Sequence, residues 1–211
     1  MKSIIDRFIG GKGESLIKVI GVGGGGCNAV ESLYRRGLDN VTYAVCNMDR
    51  ISLQACSIPT RVAIGEIGAG DIPEKAYEAA VEHEEEIRQV LRDGTQMLFI
   101  TAGMGGGTGT GATPVVARIA RELGILTVGI VTTPFMFEGK SKMRKAEAWI
   151  KRIEASTDAI MVIDNEKLTR MEGYLLPEAF LFADQVLANA AESIARLVVM
   201  RGYMNVDTAD L

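Results

Sequence analysis

Cysteine and histidine are scarce in this sequence, which removes the residues that build many catalytic and metal centres. The 211 residues include three cysteines and one histidine. The cysteines Cys27, Cys46 and Cys56 form no C-x-x-C pair, and their odd number excludes a fully paired disulfide framework and fits a reducing cytoplasm. His83 lies in the run EHEEE and cannot alone build a multi-histidine metal site or a hydrolase triad, so we interpret it as a solvated helix residue. Any chemistry must therefore use carboxylates, backbone amides or a bound metal ion.

Long apolar runs and an excess of positive charge are also missing. No uninterrupted apolar segment approaches the ~20 residues of a membrane span. Residues 1–15 lack the apolar core of a signal peptide, and we interpret them as a short lead-in. The net charge of −4 gives no support to binding of nucleic acid or of an anionic membrane surface. With 47% hydrophobic and 24% charged residues, the chain has the composition of one ordinary globular domain.

Apolar, β-branched segments alternate with helical patterns along the chain. The predicted strands are 15–22, 41–47, 95–102, 125–133 and 158–164, with a shorter one at 60–64. The predicted helices are 28–36, 74–92, 112–123, 140–155 and 177–201, and Asp71 and Glu74 have capping-box spacing at the start of the second. Strand–helix alternation with short connections predicts an α/β fold: a doubly wound, mostly parallel sheet with helices on both faces.

Glycine is abundant, with 24 residues, and much of it follows predicted strands. After the first strand, Gly21, Gly23 and Gly26 satisfy G-x-G-x-x-G, which is typical of a dinucleotide-binding turn between a strand and a helix. Asp49 follows the second strand, at the place where an acid that binds ribose is expected. Alone, these features favour an oxidoreductase of the NAD or FAD type, or merely a tight turn with close packing.

A second glycine-rich segment, GMGGGTGTGATP (103–114), joins another strand to a helix. Two such loops side by side can surround one polyphosphate with backbone N–H groups and helix N-termini, and Thr108 and Thr110 can add hydroxyl donors. The chain contains no Walker A motif. Further loops follow the other strands, with the segment GEIGAGDIPE (65–74) and the side chains of Glu138, Lys142 and Asn165. This pattern predicts a large nucleotide whose phosphates, sugar and base contact different loops.

With these loops assembled, the chain resembles the tubulin/FtsZ superfamily, and within it the bacterial cell-division GTPases of the FtsZ family. The segment GGGTGTG (105–111) matches the signature loop of the superfamily. Other segments match in order: GVGGGGCNAV, GAGDIPE, TTPFMFEG, DNEKL, AFLFADQVL and NVDTADL. The resemblance runs from about Ile17 to Leu211, and PFMFEGK and MNVDTAD favour FtsZ over tubulins and plasmid-borne relatives.

The resemblance implies that two loops bind the phosphates of GTP or GDP. The first contains Gly24, Gly25, Gly26, Cys27 and Asn28, with Asn28 directed toward the nucleoside. The second contains Gly105, Gly106, Gly107, Thr108, Gly109 and Thr110. Ala69 and Gly70 belong to a loop that senses the γ-phosphate, and Glu138 and Lys142 lie near the ribose. Cys27 stands where the family often has a small residue, so its thiol is a candidate reactive group.

The resemblance also implies that Asn165, Phe180 and Asp184 hold the base. Guanine presents N1–H and an amino group side by side, whereas adenine does not, so a carboxylate or amide oxygen selects guanine. Phe180 precedes Asp184 by one helical turn and can stack on the purine. The other interpretation is that Phe180 belongs to the apolar core stripe of its helix, which continues through Ala183, Leu187, Ala191, Ile194 and Val198.

For catalysis, the resemblance points to the loop NVDTADL, with Asn205, Asp207 and Asp210. The predicted helix before it has about 25 residues and spans roughly 37 Å, which carries the two carboxylates away from the glycine loops of the same molecule. In a head-to-tail homopolymer they reach the γ-phosphate of a neighbour and polarise water, while Mg²⁺ offsets phosphate charge. Composition alone would make these residues ordinary loop residues.

The expected organisation is a lead-in at 1–15, a GTP-binding domain at 16–176, and a central helix with the catalytic loop at 177–211. The family's second, activating domain and its tail are not in this sequence. The family implies a cytoplasmic protein at the mid-cell division ring, whose tail binds membrane-tethering and regulatory division proteins, with no nucleic-acid partner and no direct membrane insertion. Two other functions stay open: an NAD(P)-dependent oxidoreductase, and a binding-only module that holds GTP or GDP and scarcely hydrolyses it.

Overall fold

Six parallel strands form one sheet, in the order β3-β2-β1-β4-β5-β6. A computed structural model describes residues 17–169 and 176–199. The strands are β1 (Ile17–Val22), β2 (Val41–Asn47), β3 (Thr60–Ala63), β4 (Met97–Gly103), β5 (Leu126–Thr133) and β6 (Ala159–Asp164). The strand order reverses direction between β1 and β4, and ligands of such sheets bind at the carboxyl ends of the strands near this point.

Helices cover both faces of the sheet, as the sequence predicts. They are α1 (Gly23–Arg36), α2 (Arg50–Ala55), α3 (Pro73–Glu82), α4 (Glu84–Leu91), α5 (Thr108–Glu122), α6 (Lys140–Glu154), α7 (Asn165–Thr169) and α8 (Leu176–Val199), with a 3-10 turn at Met136–Glu138. On one face Ile20 and its neighbours pack against α3 to α6. On the other, Val19 packs with residues of α1 and α8. Because both faces are covered, all residues of β1 are buried, and its one charged side chain, Lys18, pairs with Asp93 at 2.6 Å.

Two helices begin earlier than their sequence patterns predict. Helix α1 starts at Gly23 and α5 at Thr108, whereas the predicted starts are residues 28 and 112. Glycine and threonine have low helix propensity. A prediction from the local sequence pattern therefore starts both helices too late in the chain. Packing of the two loops against each other supplies the missing stabilisation, and the first-turn amides of both helices consequently lie inside the glycine-rich segments.

The predicted helix at 74–92 is two helices, α3 and α4, which meet at His83. His83 has φ −104° and ψ 27°, outside helical geometry, and its Nδ1 lies 2.9 Å from the carbonyl oxygen of Ala79. The predicted capping box is wrong, because the residue that caps α3 is Ile72 and no side chain caps that end. Pro73 opens the helix and has no N–H to satisfy, while Asp71 bonds elsewhere. Among the described helices, none is long and apolar enough to cross a membrane.

Candidate functional site

The two glycine-rich loops meet at the carboxyl ends of adjacent strands. Strands β1 and β4 pair in parallel with Val22 opposite Ala102, so the segments that follow them emerge side by side. A Cβ atom added to Gly23 would lie 2.5 Å from the amide nitrogen of Gly109. A Cβ atom at Gly109 would lie 2.6 Å from the carbonyl oxygen of Gly103. Glycine is therefore required here by backbone-to-backbone contact.

Within the first loop, the glycines divide into open and packed positions. Gly24 is exposed, with nothing within 4 Å of an added Cβ atom, and at Gly25 the nearest atom is a carboxylate oxygen of Asp184 at 3.5 Å. A Cβ atom at Gly26 would instead lie 2.2 Å from the carbonyl oxygen of Thr101. The surface that can approach a ligand is thus formed by Gly24 and Gly25, while Gly26 fits the loop against β4.

Cys27 follows these glycines and is buried. Its thiol donates to the carbonyl oxygens of Gly21, at 3.6 Å, and Cys46, at 3.8 Å. Burial raises the pKa of the Cys27 thiol far above its ordinary range. The expectation of a reactive thiol is therefore wrong, because a nucleophilic cysteine needs an accessible thiolate.

The second loop is held in shape from inside. The backbone N–H of Gly105 donates to Oγ1 of Thr110 at 2.8 Å, and Thr110 is completely buried. Gly105 has φ +97°, and a Cβ atom there would lie 2.4 Å from the ring of Pro134. The Thr110 oxygen thus braces the loop as an acceptor, and donation of its hydroxyl to phosphate stays a prediction. Gly106 and Thr108 are only half-buried and present the loop and the start of α5 to solvent.

The third predicted loop closes over the second. A Cβ atom at Gly107 would lie 2.5 Å from the Cβ atom of Ala69. Ala69 is buried in this contact, whereas Gly70 is exposed and has φ +61°. Three loops from three strand ends therefore form one continuous backbone surface. First-turn amides of α1 and α5 border it, and helix N-termini favour anions.

Polar groups lie on α1 and α8 beside the first glycine loop, and at the start of α7, directly after β6. Asn28 donates from Nδ2 to Oδ2 of Asp184 over 3.0 Å. Burial raises the pKa of Asp184 to about 6, against the lowering effect of the Asn28 hydrogen bond. Asn165 is 6% exposed, and its Oδ1 has no hydrogen-bond partner among the described residues. A buried acceptor without a donor costs free energy in the protein alone, so the geometry provides for a ligand with N–H donors.

Aromatic side chains form the apolar part of the site. Phe180 is 43% exposed, and its ring meets Phe135 edge-on at 5.3 Å and Phe137 at 5.8 Å between centroids. Phe135 and Phe137 stack at 4.9 Å. Phe180 is thus less buried than Ala183 and Leu187 of the same helix, which separates it from the core stripe. Phe135 and Phe137 were not predicted from the sequence, although the alternating phenylalanines of PFMF were an available signal.

Glu138 and Lys142 form an ion pair at the start of α6. The Lys142 ammonium lies 3.1 Å from Oε2 of Glu138, and Oε1 of Glu138 accepts from the backbone N–H of Phe135 at 2.9 Å. Both side chains are partly accessible. The pair therefore ties the aromatic segment to α6 and presents one cation and one anion beside the glycine loops.

Other candidate residues do not join the site or cannot be placed. Asp49 caps α2, because its carboxylate accepts from the N–H groups of Ile51 and Ser52 and from the Ser52 hydroxyl. The ribose-binding acid expected for an oxidoreductase is thereby used as a helix cap. Asn205, Asp207 and Asp210 lie outside the described residues. Within 17–169 and 176–199, no cluster of three or more His, Cys, Asp or Glu side chains could hold a metal ion.

A parallel sheet whose adjacent strand ends carry facing glycine-rich loops, each opening a helix, defines a nucleotide-binding α/β domain. The particular family follows from comparison with known proteins. Residues 16–173 match the family described as "Tubulin/FtsZ family, GTPase domain". The chain belongs to this family.

Relatives with established names are cell division proteins. The chain is 48% identical over 203 residues to "Cell division protein FtsZ" of Porphyromonas gingivalis, which covers 93% of this chain and 44% of the relative. It is 46% identical over 202 residues to the protein of the same name from Aquifex aeolicus, with 92% and 55% covered. The chain thus spans about half the length of the curated relatives that it matches.

A solved structure has the same fold. The structure titled "FtsZ dimer, empty (M. jannaschii)" superposes with a TM-score of 0.89 at 39% identity, covering 98% of this chain and 61% of that one. The predicted α/β class, with its doubly wound parallel sheet, is confirmed. The oxidoreductase alternative finds no support, because the relatives and the family are those of a GTPase domain.

Proposed function

We propose that this chain binds GTP and GDP and is the GTP-hydrolysing domain of a filament-forming cell-division protein. The observation that carries the proposal is a pair of acceptors, the carboxylate of Asp184 beside the first glycine loop and the unpartnered Oδ1 of Asn165 at the carboxyl end of β6. Guanine offers N1–H and an amino group to such acceptors, whereas adenine has no N1–H. The open glycines of the two loops then receive the phosphates through backbone amides.

Each remaining part of the site has a role in this proposal. Gly24, Gly25, Gly106 and Thr108 face the phosphates, because they are the accessible members of the two loops. The backbone around Ala69 and Gly70 lies over the second loop and meets the terminal phosphate. Phe180, supported by Phe135 and Phe137, stacks against the purine. Glu138 and Lys142 contact the ribose side of the nucleotide.

Mg²⁺ is part of the proposal as a partner of the phosphates. The described residues hold no metal cluster of their own, which fits an ion that takes most of its ligands from phosphate oxygens and water. When bound with the nucleotide, it neutralises phosphate charge. The protein's own groups orient the nucleotide through backbone amides and exclude water from the buried Asn165 side.

Hydrolysis between subunits is the second part of the proposal. Helix α8 lies beside the nucleotide site at Asp184 and runs away from it, since Glu192 pairs with Arg36 at the far end of α1. The C-terminal end of α8 therefore lies away from the nucleotide site. We infer that Asn205, Asp207 and Asp210 act on the nucleotide of the next subunit in a head-to-tail homopolymer, and that self-assembly activates turnover.

Location and further partners are inferred from the relatives. We propose that the protein acts in the cytoplasm at the division site. In the complete protein, membrane-tethering and regulatory division proteins bind a tail beyond this chain.

Equilibrium binding of nucleotides tests the first part. We expect the chain to bind GTP and GDP and to bind ATP and NADH at least about 100-fold more weakly, since two lost hydrogen bonds to buried acceptors cost roughly 3 kcal/mol. Competition against a fluorescent GDP analogue measures all four. Tight NADH binding without GTP binding would overturn the proposal.

A turnover assay separates hydrolysis from binding alone. We expect phosphate release per molecule to rise with protein concentration in the natural full-length protein, because one subunit completes the site of another. GTP binding with no turnover at any concentration would leave a binding-only module.

A further inference from the structure

Lys145, on the second turn of α6, is fastened to the loop that precedes α3. Its ammonium donates to the backbone carbonyl oxygen of Asp71 at 2.8 Å and to Oδ2 of the same residue at 2.7 Å. The Lys145 side chain is 25% exposed and that of Asp71 48%. A cation that bonds both the backbone and the side chain of one residue fixes the conformation of that residue as well as its charge.

The conformation that Lys145 fixes is one that needs support. Asp71 has φ +64°, and it follows Gly70 with φ +61°. Among the described non-glycine residues, only Asn40 shares this left-handed geometry. Aspartate tolerates it better than most residues, but it persists only where the surroundings hold it. The two bonds from Lys145 supply this restraint.

The fixed loop forms one wall of the second glycine loop. A Cβ atom at Gly107 would lie 3.3 Å from the amide nitrogen of Asp71 and 3.2 Å from that of Ile72, and a Cβ atom at Gly106 would lie 3.9 Å from Oδ1 of Asp71. Gly106 is one of the accessible positions of the loop. The position and charge of Asp71 therefore set the space and the electrostatic potential beside that backbone.

Helix α6 holds the second glycine loop at another point. A Cβ atom at Gly105 would lie 3.1 Å from the carbonyl oxygen of Lys142, one turn before Lys145. The same helix thus contacts the start of the glycine loop directly and its middle through Asp71. Helix α6 and the Asp71 loop therefore together fix the position of the backbone around Gly106.

We propose that Lys145 is a positioning residue for the terminal phosphate of the bound triphosphate. It holds Asp71 and its loop in place over Gly106 and Gly107, and it neutralises a carboxylate that would otherwise repel the phosphate. This inference rests on the proposed guanine-nucleotide site. The diphosphate, which lacks the terminal group, is affected less, so the quantity that Lys145 controls is the preference for triphosphate over diphosphate.

The test compares the affinities of GTPγS and GDP in this chain and in its variants. Lys145→Met keeps the apolar stem and removes the cation. We expect it to lower the ratio of GTPγS to GDP affinity about five- to tenfold, the effect of one uncompensated charge a few ångströms away in a solvated cleft. Lys145→Arg should restore most of the ratio. Lys151→Ala, at an exposed lysine in the last turn of the same helix, should leave it unchanged.

A double variant separates charge from general damage. Asp71→Asn combined with Lys145→Met removes both charges and keeps a side chain that tolerates left-handed backbone. We expect its ratio to recover in part, to within about threefold of the unmodified chain, because the repelling charge is gone although the two bonds from Lys145 are still missing. Melting temperatures confirm that each variant is folded. If Lys145→Met unfolds the chain, the ratio of GTPγS to GDP affinity can still be measured in the double variant and in Lys145→Arg. A fivefold drop of this ratio below that of the unmodified chain in either variant overturns the inference.

Two results would contradict the inference directly. One is an unchanged affinity ratio in folded Lys145→Met. The other is a double variant at least as impaired as Lys145→Met. Failure of the unmodified chain to bind GTPγS and GDP would instead overturn the proposed function, so the two failures are distinguishable.

Discussion

At the scale of single residues, ionisation of Asp184 has opposite effects on folding stability and on guanine binding. Burial raises its pKa from 3.8 to about 6, so the folded chain holds this proton more tightly than the unfolded chain does. Stability therefore falls as the pH rises from about 4 through 6, and it stays lower above that range. The ionised carboxylate that costs stability near neutral pH is the form that accepts N–H bonds from guanine.

Asp184→Asn should consequently make the nucleotide-free chain more stable while weakening GTP binding. We expect a melting temperature higher by a few degrees at pH 7.5, and no gain at pH 4, where the carboxyl of the unmodified chain is already protonated. GTP affinity should fall about 100-fold. Thermal melts at both pH values measure the first effect, and an equal gain at pH 4 and pH 7.5 would contradict it.

The same variant should change base preference. An asparagine amide can donate to the 2-oxo group of xanthine, which replaces the amino group of guanine. We therefore expect Asp184→Asn to bind xanthosine triphosphate more tightly than GTP, the reverse of the unmodified chain. Competition with a fluorescent nucleotide measures both. Equal losses for the two nucleotides would mean that Asp184 does not contact the base edge.

At the scale of elements, the contact between α3 and α5 depends on one glycine. A Cβ atom at Gly111 would lie 1.9 Å from the carbonyl oxygen of Pro73 and 2.9 Å from the amide nitrogen of Tyr77. Both are backbone atoms, so the helices must separate to admit a methyl group. We expect the free-energy cost of separating the helices to exceed the gain in helix propensity from replacing glycine by alanine, which is about 1 kcal/mol.

We therefore expect Gly111→Ala to lower the free energy of unfolding by about 2 kcal/mol or more. Gly24→Ala is the matched control, since it also lies in the first turns of a helix but has nothing within 4 Å of the added atom. It should leave stability unchanged or raise it slightly. Urea unfolding of both variants decides the matter, and equal stabilities would refute the packing argument.

Elements were predictable where local pattern and tertiary packing agree. The predominantly apolar strands β1, β4 and β5 could be predicted directly, because strands covered on both faces need no polar alternation. The break at His83 could not, because helical composition continues across it.

In the site, the glycine loops could be predicted from the sequence, but the structural role of each residue within them could not. The Thr110 hydroxyl bonds the Gly105 amide, and Asp71 bonds Lys145 over 74 positions. Both depend on contacts between segments that no local pattern records. The placement of Asn28 beside Asp184 joins residues 156 positions apart, and only the family resemblance predicted that they serve one site.

At the scale of the whole molecule, α8 connects the nucleotide site to the opposite end of the sheet. Its Asp184 contacts Asn28 at the start of α1, and its Glu192 pairs with Arg36 at the end of α1. Ala188 and Ala191 pack into the core between these points, and Ala195 packs there one turn further on. The helix is therefore held at both points, and its C-terminal end lies away from the nucleotide site of the same molecule.

This geometry predicts that two defective proteins restore each other's activity. In the natural full-length protein, Asp207→Ala with Asp210→Ala should remove hydrolysis but leave GTP binding, whereas Asp184→Ala should remove binding but leave the catalytic loop intact. Each protein alone should release phosphate at no more than a few per cent of the normal rate. In a mixture, a subunit with an intact catalytic loop can sit on a subunit with bound GTP, and an equal mixture forms this contact at up to about a quarter of its interfaces. Phosphate release should then reach a similar fraction of the normal rate. A mixture no more active than its components would show that each subunit hydrolyses its own nucleotide.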